Sequence, residues 1–291
     1  MMPMLLSICL FWIGPILLTY LANALDKMKK TNLKAANEAA AKGKVCVVIG
    51  ANAGIGLELC KQLAARGSKV YGTCRKTNDE LASLDGVTVV PGIDVTSDGV
   101  GAALAASSLA GVTIDVLIHS AGSYDGGTLN KTNIQPGEMF QSQKLDTVTI
   151  ATMNSVLNVN TLGPLRVIKA LHKQIASPGG KLAIVSTQLG SIDDNTSGGS
   201  YAYRTSKAAV NMIGKSLSCD LKSKGISVQL LAPGFIATNF GPGAAAMKKM
   251  GARDVTPSVA GIIEALDAMT MANTGTFVHT NYGLGLKPSM W

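Results

Sequence analysis

From Lys44 the chain runs KVCVVIGANAGIGLELCKQLAARG, a β-branched stretch that stops at a glycine and passes within a few residues into helical spacing. A half-exposed strand alternates apolar and polar residues, but this stretch does not. It predicts a strand covered on both faces, as in the middle of a parallel sheet. Similar runs follow as KVYGTC, VTVVPGID, IDVLIHSAG, GKLAIVST, ISVQLLAPG and GTFVHTN. Between them, Gly56 to Ala65, Gly99 to Leu109, Ser206 to Lys222 and Ser258 to Met269 carry helical spacing. Strands alternating with helices predict an α/β fold, a doubly wound parallel sheet with helices on both faces. A chain of 291 residues, 47% hydrophobic and 15% charged, can bury one core of that kind. The domain is placed at residues 44–291, and residues 123–150 read as a polar loop leading into a long helix.

Gly50, Gly54 and Gly56 stand as G-x-x-x-G-x-G where the first strand becomes a helix. A side chain there would hold the backbone away from a pyrophosphate at the helix N-terminus. Gly50, Asn52, Gly54, Ile55 and Gly56 are therefore candidate cofactor-binding residues. Far downstream, SGGSYAYRTSKAAV sets Tyr203 and Lys207 four residues apart, on one helical face. Tyr201, six residues from Lys207, points elsewhere and is expected to line a wall.

The glycine spacing together with Y-x-x-x-K resembles the short-chain dehydrogenase/reductase family, from Lys44 to the last residue. The DNTSGGSYAYRTSKAA stretch and Trp291 resemble more narrowly its carbonyl-reductase branch, with C-factor-like and sniffer-like proteins. That resemblance implies a single Rossmann domain, a seven-stranded parallel sheet in the order 3-2-1-4-5-6-7, and NAD(P)-dependent hydride transfer between a carbonyl and an alcohol. It also implies that Lys207 holds the nicotinamide ribose, that Asn160 in NVNTLGPL supports a water reaching Lys207, and that Asp94 and Val95 meet the adenine ring. Ser120, Ala121 and Gly122 of HSAG stand where relatives carry N-N-A-G, and Pro233, Gly234, Ile236 and Thr238 match the loop that binds the nicotinamide amide and phosphates. Relatives often pair through the helix that includes Tyr203, so a homo-oligomer is implied.

Hydride delivery to a carbonyl needs a proton donor for the developing alkoxide. A tyrosine of pKa about 10 serves the reverse step only if a nearby cation lowers that value. Tyr203 is expected to be the general acid/base and Lys207 the group that tunes it. Relatives place a serine before x-x-G, and aligning on Gly190 in IVSTQLGSI puts Thr187 there, with Ser186 facing the opposite side of the strand. At the second strand, NAD enzymes place an acid against the ribose hydroxyl; here Cys74 stands in its place and Arg75 follows, which favours NADP(H) over NAD(H). The Gly/Ala-rich segment from Phe235 to Val255 lies where these enzymes carry a substrate lid. A membrane-bound NADP-binding scaffold or redox sensor with little turnover is the alternative to an enzyme.

The formal charge is +8, and half of that excess falls in the first 44 residues, where Lys27, Lys29, Lys30, Lys34, Lys42 and Lys44 face only Asp26 and Glu38. No aromatic residue interleaves with them, which argues against nucleic acid as a partner. Met1 to Leu25 is uncharged and long enough to cross roughly 30 Å of hydrocarbon as a helix. It is expected to be a membrane anchor, followed by a basic linker at 26–43 that keeps the domain on the cytosolic face. Cleavage near Ala24, in the signal-peptidase-like ANA, with organelle targeting, and a soluble packing helix are the other readings. An anchor points to a lipophilic substrate. Cys9, Cys46, Cys60, Cys74 and Cys219 are odd in number and lack metal-ligand spacing, so they read as reduced thiols, and no metal is expected.

Overall fold

The computed structural model describes residues 19–28, 31, 41–127, 136–241, 243–280, 287–288 and 291. The seven apolar runs become β1 (Val45–Ile49), β2 (Lys69–Thr73), β3 (Val87–Val90), β4 (Val116–His119), β5 (Lys181–Val185), β6 (Ser227–Ala232) and β7 (Thr276–His279), all parallel. The sheet has one strand more than expected. A two-residue β8 (Lys287–Pro288) pairs antiparallel with β7, so the order is β3-β2-β1-β4-β5-β6-β7-β8.

Burial on both faces explains why β1 does not alternate. Val47 and Ile49 join a core with Leu104, Val167, Leu171 and Val210, whereas Cys46 and Val48 join a second core with Leu59, Leu63, Ile262 and Leu266. The first layer holds α3 (Val100–Ala105), α6 (Gly163–Leu171) and α7 (Tyr201–Asp220), and the second holds α1 (Gly54–Ala65) and α9 (Val255–Ala268). Among the described residues four shorter helices accompany them: α2 (Asp79–Ala82), α4 (Pro136–Gln141), α5 (Ile150–Leu157) and α8 (Ala244–Lys249).

Several boundaries differ from the periodicity, three of them with a clear physical cause or consequence. Helix α3 stops at Ala105 rather than Leu109, because the Ser107 hydroxyl donates to Leu104 O at 2.8 Å and accepts from Leu109 N at 3.2 Å. Helix α7 starts at Tyr201, five residues before its apolar pattern, which puts Tyr203 in its first turn. The long helix after the polar loop is broken into α5 and α6 by a π-turn at Asn158–Leu162, just before Pro164, which has no N–H to continue an α-helical ladder.

The chain divides into two compact units, Met1–Lys42 and Gly43–Trp291. In the first unit residues 19–28 are helical and exposed. Among the described residues no helix is long and apolar enough to cross a membrane. The expected anchor falls mostly on residues 1–18, and most of the basic linker on residues 29–30 and 32–40, outside the described residues.

In the second unit β2 and β4 flank β1 on opposite sides, and the connections after β1 and β4 leave toward opposite faces. The crevice at the C-terminal ends of these strands is where α/β sheets of this kind bind ligands.

Candidate active site

Three glycines let three chain segments meet at this crevice. Gly50 leaves β1 at φ +85°, and a Cβ there would lie 2.7 Å from the Cα of Ala121 at the end of β4. Gly54 opens α1 at φ +54°, where a Cβ would come 3.2 Å from Thr238, beyond β6. At Gly56 a Cβ would run into the carbonyl oxygen of Gly50. Ala53, before α1, supplies no side-chain cap, so the N–H groups of the first turn face a place suited to an anion. This cradle fits the pyrophosphate of a dinucleotide. Asn52 accepts from Asn78 Nδ2 at 2.8 Å through its carbonyl, and Ile55 packs against the second core.

Arg75 is exposed immediately after the buried Cys74, at the end of the second strand. Asp94 Oδ1 accepts from the Thr96 hydroxyl at 2.7 Å and from Thr96 N at 2.9 Å. Those bonds, with the Arg75 charge, hold the carboxyl below its ordinary range against the opposing effect of burial. Asp94 therefore shapes its own turn, while Val95 is buried and would meet a Cβ on Gly163 at 3.0 Å. Ser120 and Ala121 both donate backbone N–H to Ile49 O at 2.9 Å, which turns Gly122 outward. Pro233 is buried, Gly234 has φ +89°, and Ile236 is buried.

The catalytic candidates converge on Gly122, where a Cβ would find Asn160 Oδ1 at 3.3 Å, Lys207 Nζ at 3.7 Å and Phe240 at 4.0 Å. Asn160 lies in the π-turn. Its Oδ1 accepts from Ser123 N at 2.8 Å, and its Nδ2 donates to Ser123 O at 2.8 Å and Ser206 Oγ at 3.0 Å. Lys207 is buried and donates to Val185 O at 3.0 Å, and desolvation lowers its pKa to about 8. Tyr203 is half-buried, with ring centroids 5.1 Å from Tyr124 and 5.8 Å from Phe240.

The tuning expected of Lys207 is not visible. Burial first, then Tyr124, pushes the Tyr203 phenol above its ordinary range. Lys207 Nζ stands 5.9 Å from the Tyr203 ring centroid and gives its hydrogen bond to Val185 instead. The other tyrosine also departs from expectation. Tyr201 is 41% exposed, and the ring beside Tyr203 belongs to Tyr124.

Ser186 and Thr187 separate as strand alternation requires. Ser186 is buried and donates to Asn211 Oδ1 at 2.6 Å, inside the fold. Thr187 is half-buried, and its hydroxyl accepts from Leu189 N at 3.3 Å.

Sequence reasoning missed Tyr124, Met139, Phe140, Gln143 and Phe240. Tyr124 and Phe140 meet edge to face at 5.7 Å, and a Cβ on Gly241 would press on Met139 Sδ, so the 139–143 and 238–241 segments come together beside Tyr203. Nothing in these residues' local spacing marks them; only Tyr124, two residues past HSAG, carried a positional hint. His119, read as a packed histidine, is fully buried with Nε2 unpartnered, and burial, helped by the Lys207 charge, lowers its pKa to about 3. Cys46 and Cys60 are free, buried thiols whose pKa values burial raises to about 11 and about 12. Among the described residues no cluster could hold a metal ion.

Residues 44–249 match the family model for short chain dehydrogenase. The chain is 36% identical over 241 residues to 1-hydroxy-2-glutathionyl-2-methyl-3-butene dehydrogenase of Rhodococcus sp. (strain AD45), covering 81% of this chain and 96% of that one. Among solved structures, a putative short-chain dehydrogenase/reductase from Burkholderia multivorans with bound NADP superposes with TM-score 0.68 at 26% identity, covering 86% of this chain and all of that one. Carbonyl reductase Sniffer of D. melanogaster superposes with the same TM-score, 0.68, and the same identity, 26%, again over 86% of this chain and all of its own.

Proposed function

Because the chain belongs to the short-chain dehydrogenase family and is an oxidoreductase acting on a small molecule, we propose that it reduces a carbonyl to an alcohol with NADPH and that Tyr203 supplies the proton. The observation that carries this reading is the meeting of Gly122, Asn160 and Lys207 at one point, one helical turn from Tyr203.

Gly50, Asn52, Gly54, Ile55 and Gly56 would hold the pyrophosphate at the start of α1, and Ser120 to Gly122 and Lys207 the nicotinamide ribose. Pro233, Gly234, Ile236 and Thr238 would meet the amide and phosphates, and Asp94 and Val95 the adenine. Arg75 offers a cation to a 2′-phosphate at a position with no acid to repel it. The NADP bound to the Burkholderia structure supports the same choice. A bound NADPH would supply the hydride to the carbonyl carbon.

The chain's own residues do the remaining work. Thr187, with a hydroxyl that can donate, holds the carbonyl oxygen. Tyr203 keeps its proton at neutral pH, as a phenol of ordinary pKa about 10 does, and burial raises that value further. An alkoxide is a stronger base than a phenolate, so proton transfer from Tyr203 to the developing alkoxide runs downhill. A phenol held this high is scarcely ionised at neutral pH, so little phenolate is present to take a proton from an alcohol in the reverse step. Lys207 is cationic below about pH 8 and loses that charge above it. Asn160 fixes the 123 loop against α7 through Ser123 and Ser206. The rings of Tyr124, Phe140 and Phe240 make an apolar wall for the substrate.

NADPH oxidation is measured across a panel of aldehydes, ketones and quinones beside Tyr203→Phe. The expected result is a fall in kcat of about 1000-fold in the variant, with NADPH preferred over NADH and the wild-type kcat declining above pH 8. Tight NADPH binding with no Tyr203-dependent turnover on any substrate would sink the reading and favour a binding protein.

A further inference from the structure

Helix α7 begins with no cap of its own. Ser200, at the N-cap, is left-handed at φ 50° and ψ 38° and makes no capping bond; its hydroxyl lies 2.8 Å from the Tyr124 hydroxyl. The two residues before it are glycines. A first turn without a cap leaves its N–H groups unmatched and its position loosely set, yet the third residue of this turn is Tyr203.

The missing cap comes from elsewhere in the chain. Gln143, 60 residues upstream and fully buried, accepts from Tyr203 N at 2.9 Å through its side-chain Oε1 and from Tyr201 N at 3.2 Å through its backbone carbonyl. Its Nε2 donates to Tyr124 O. One side chain thus satisfies the backbone of Tyr203 and ties it to the residue whose ring packs 5.1 Å away. A buried amide has two ends to satisfy, and both are used here.

We propose that Gln143 is a positioning residue that caps α7 from a distant segment of the same chain and sets where the Tyr203 hydroxyl stands relative to Lys207. The inference rests on Tyr203 being the proton donor. It requires that loss of the Gln143 acceptor lower the proton-transfer step while leaving the cofactor cradle, built on β1, β4 and β6, intact. Glutamate at this position keeps an oxygen facing Tyr203 N and a negative charge that the helix N-terminus favours, while losing the donor to Tyr124 O.

The test is steady-state kinetics of the full chain with Gln143→Leu, Gln143→Glu and Tyr203→Phe, together with NADPH titration by fluorescence and a pH profile of kcat. Gln143→Leu is expected to lower kcat by about 100-fold, the scale of a small misplacement of a catalytic group. NADPH affinity should stay within about twofold, because the cradle is untouched. Gln143→Glu should recover at least about tenfold of that loss and shift the pH limb of kcat relative to wild type. Loss of NADPH affinity in proportion to kcat in Gln143→Leu would overturn the proposal, as would a glutamate variant no better than leucine or a leucine variant with wild-type kcat. If Gln143→Leu does not fold, the glutamate variant decides alone: kcat within about tenfold of wild type with a shifted pH limb supports the clamp, and a wild-type pH limb or a larger loss overturns it. Tyr203→Phe with wild-type turnover refutes the proton-donor assignment itself, a result that none of the Gln143 outcomes can mimic.

Discussion

The two sides of the crevice are made of different material. The side at α1 is backbone: Ala121 and the Gly50 carbonyl leave no room for a Cβ at Gly50 and Gly56, and Gly54 combines a positive φ with crowding from Thr238. The side at α7 is side chains from distant segments: Tyr124, Phe140, Gln143 and Phe240 assemble around Tyr203. A backbone cradle needs particular residues at fixed short spacing and tolerates little change. A side-chain wall needs only compatible shapes and can drift with the substrate.

The sharpest way to break this contrast is Gly56→Ala. The added methyl meets a backbone carbonyl, which cannot rotate away as a side chain can, so the turn between β1 and α1 must open. NADPH affinity is expected to fall more than about 100-fold and stability by about 3 kcal/mol, read by fluorescence titration and chemical denaturation. A variant that binds NADPH as wild type does would show that the cradle is not rigid.

That same difference decides what the sequence discloses. The strands and the glycine turn are legible because each depends on a contiguous stretch, β-branched runs for the strands and G-x-x-x-G-x-G for the turn, whereas the order of the strands in the sheet comes only from the family resemblance. Lys207 is legible through helical spacing. The start of α7 at Tyr201 is not, since the cap that permits it is Gln143, a residue with no local pattern. Asp94 shows what position alone leaves out: Oδ1 is held by two bonds from Thr96, a local turn that spacing does not reveal, and both bonds fall on that one oxygen. The raised phenol of Tyr203 was hidden as well, because spacing shows that Lys207 is near but not that its ammonium turns to Val185.

On the side-chain half, the proposed roles of Thr187 and Ser186 separate catalysis from packing within one dipeptide. Removing the Thr187 hydroxyl is expected to lower kcat by about 100-fold, as loss of a hydrogen bond to a developing oxyanion does, with little change in stability. Removing the Ser186 hydroxyl leaves Asn211 Oδ1 buried without that donor, at a cost of about 1–2 kcal/mol, and should change kcat only a few-fold. Steady-state kinetics and thermal unfolding on the two alanine variants check both halves. The reverse ranking in kcat would move the catalytic hydroxyl to Ser186 and overturn the register.

The smallest effect lies where the two halves join, at His119 on the end of β4. Burial, with the Lys207 charge behind it, holds this imidazole neutral down to about pH 3, whereas the unfolded chain takes up a proton near pH 6.5. Between those values the unfolded state binds the extra proton, so stability rises with pH across the window and is lost as pH falls below about 6.5. At pH 5 the loss from this one group comes to about 2 kcal/mol relative to neutral pH. His279, whose pKa burial also lowers, adds to the loss in the same direction. His119→Asn removes the titrating group, so denaturation midpoints of the variant should change less between pH 7 and 5 than those of wild type. Equal acid sensitivity in the two would mean that His119 gains a proton without opening the fold, and the junction between cradle and wall would then be softer than its burial implies.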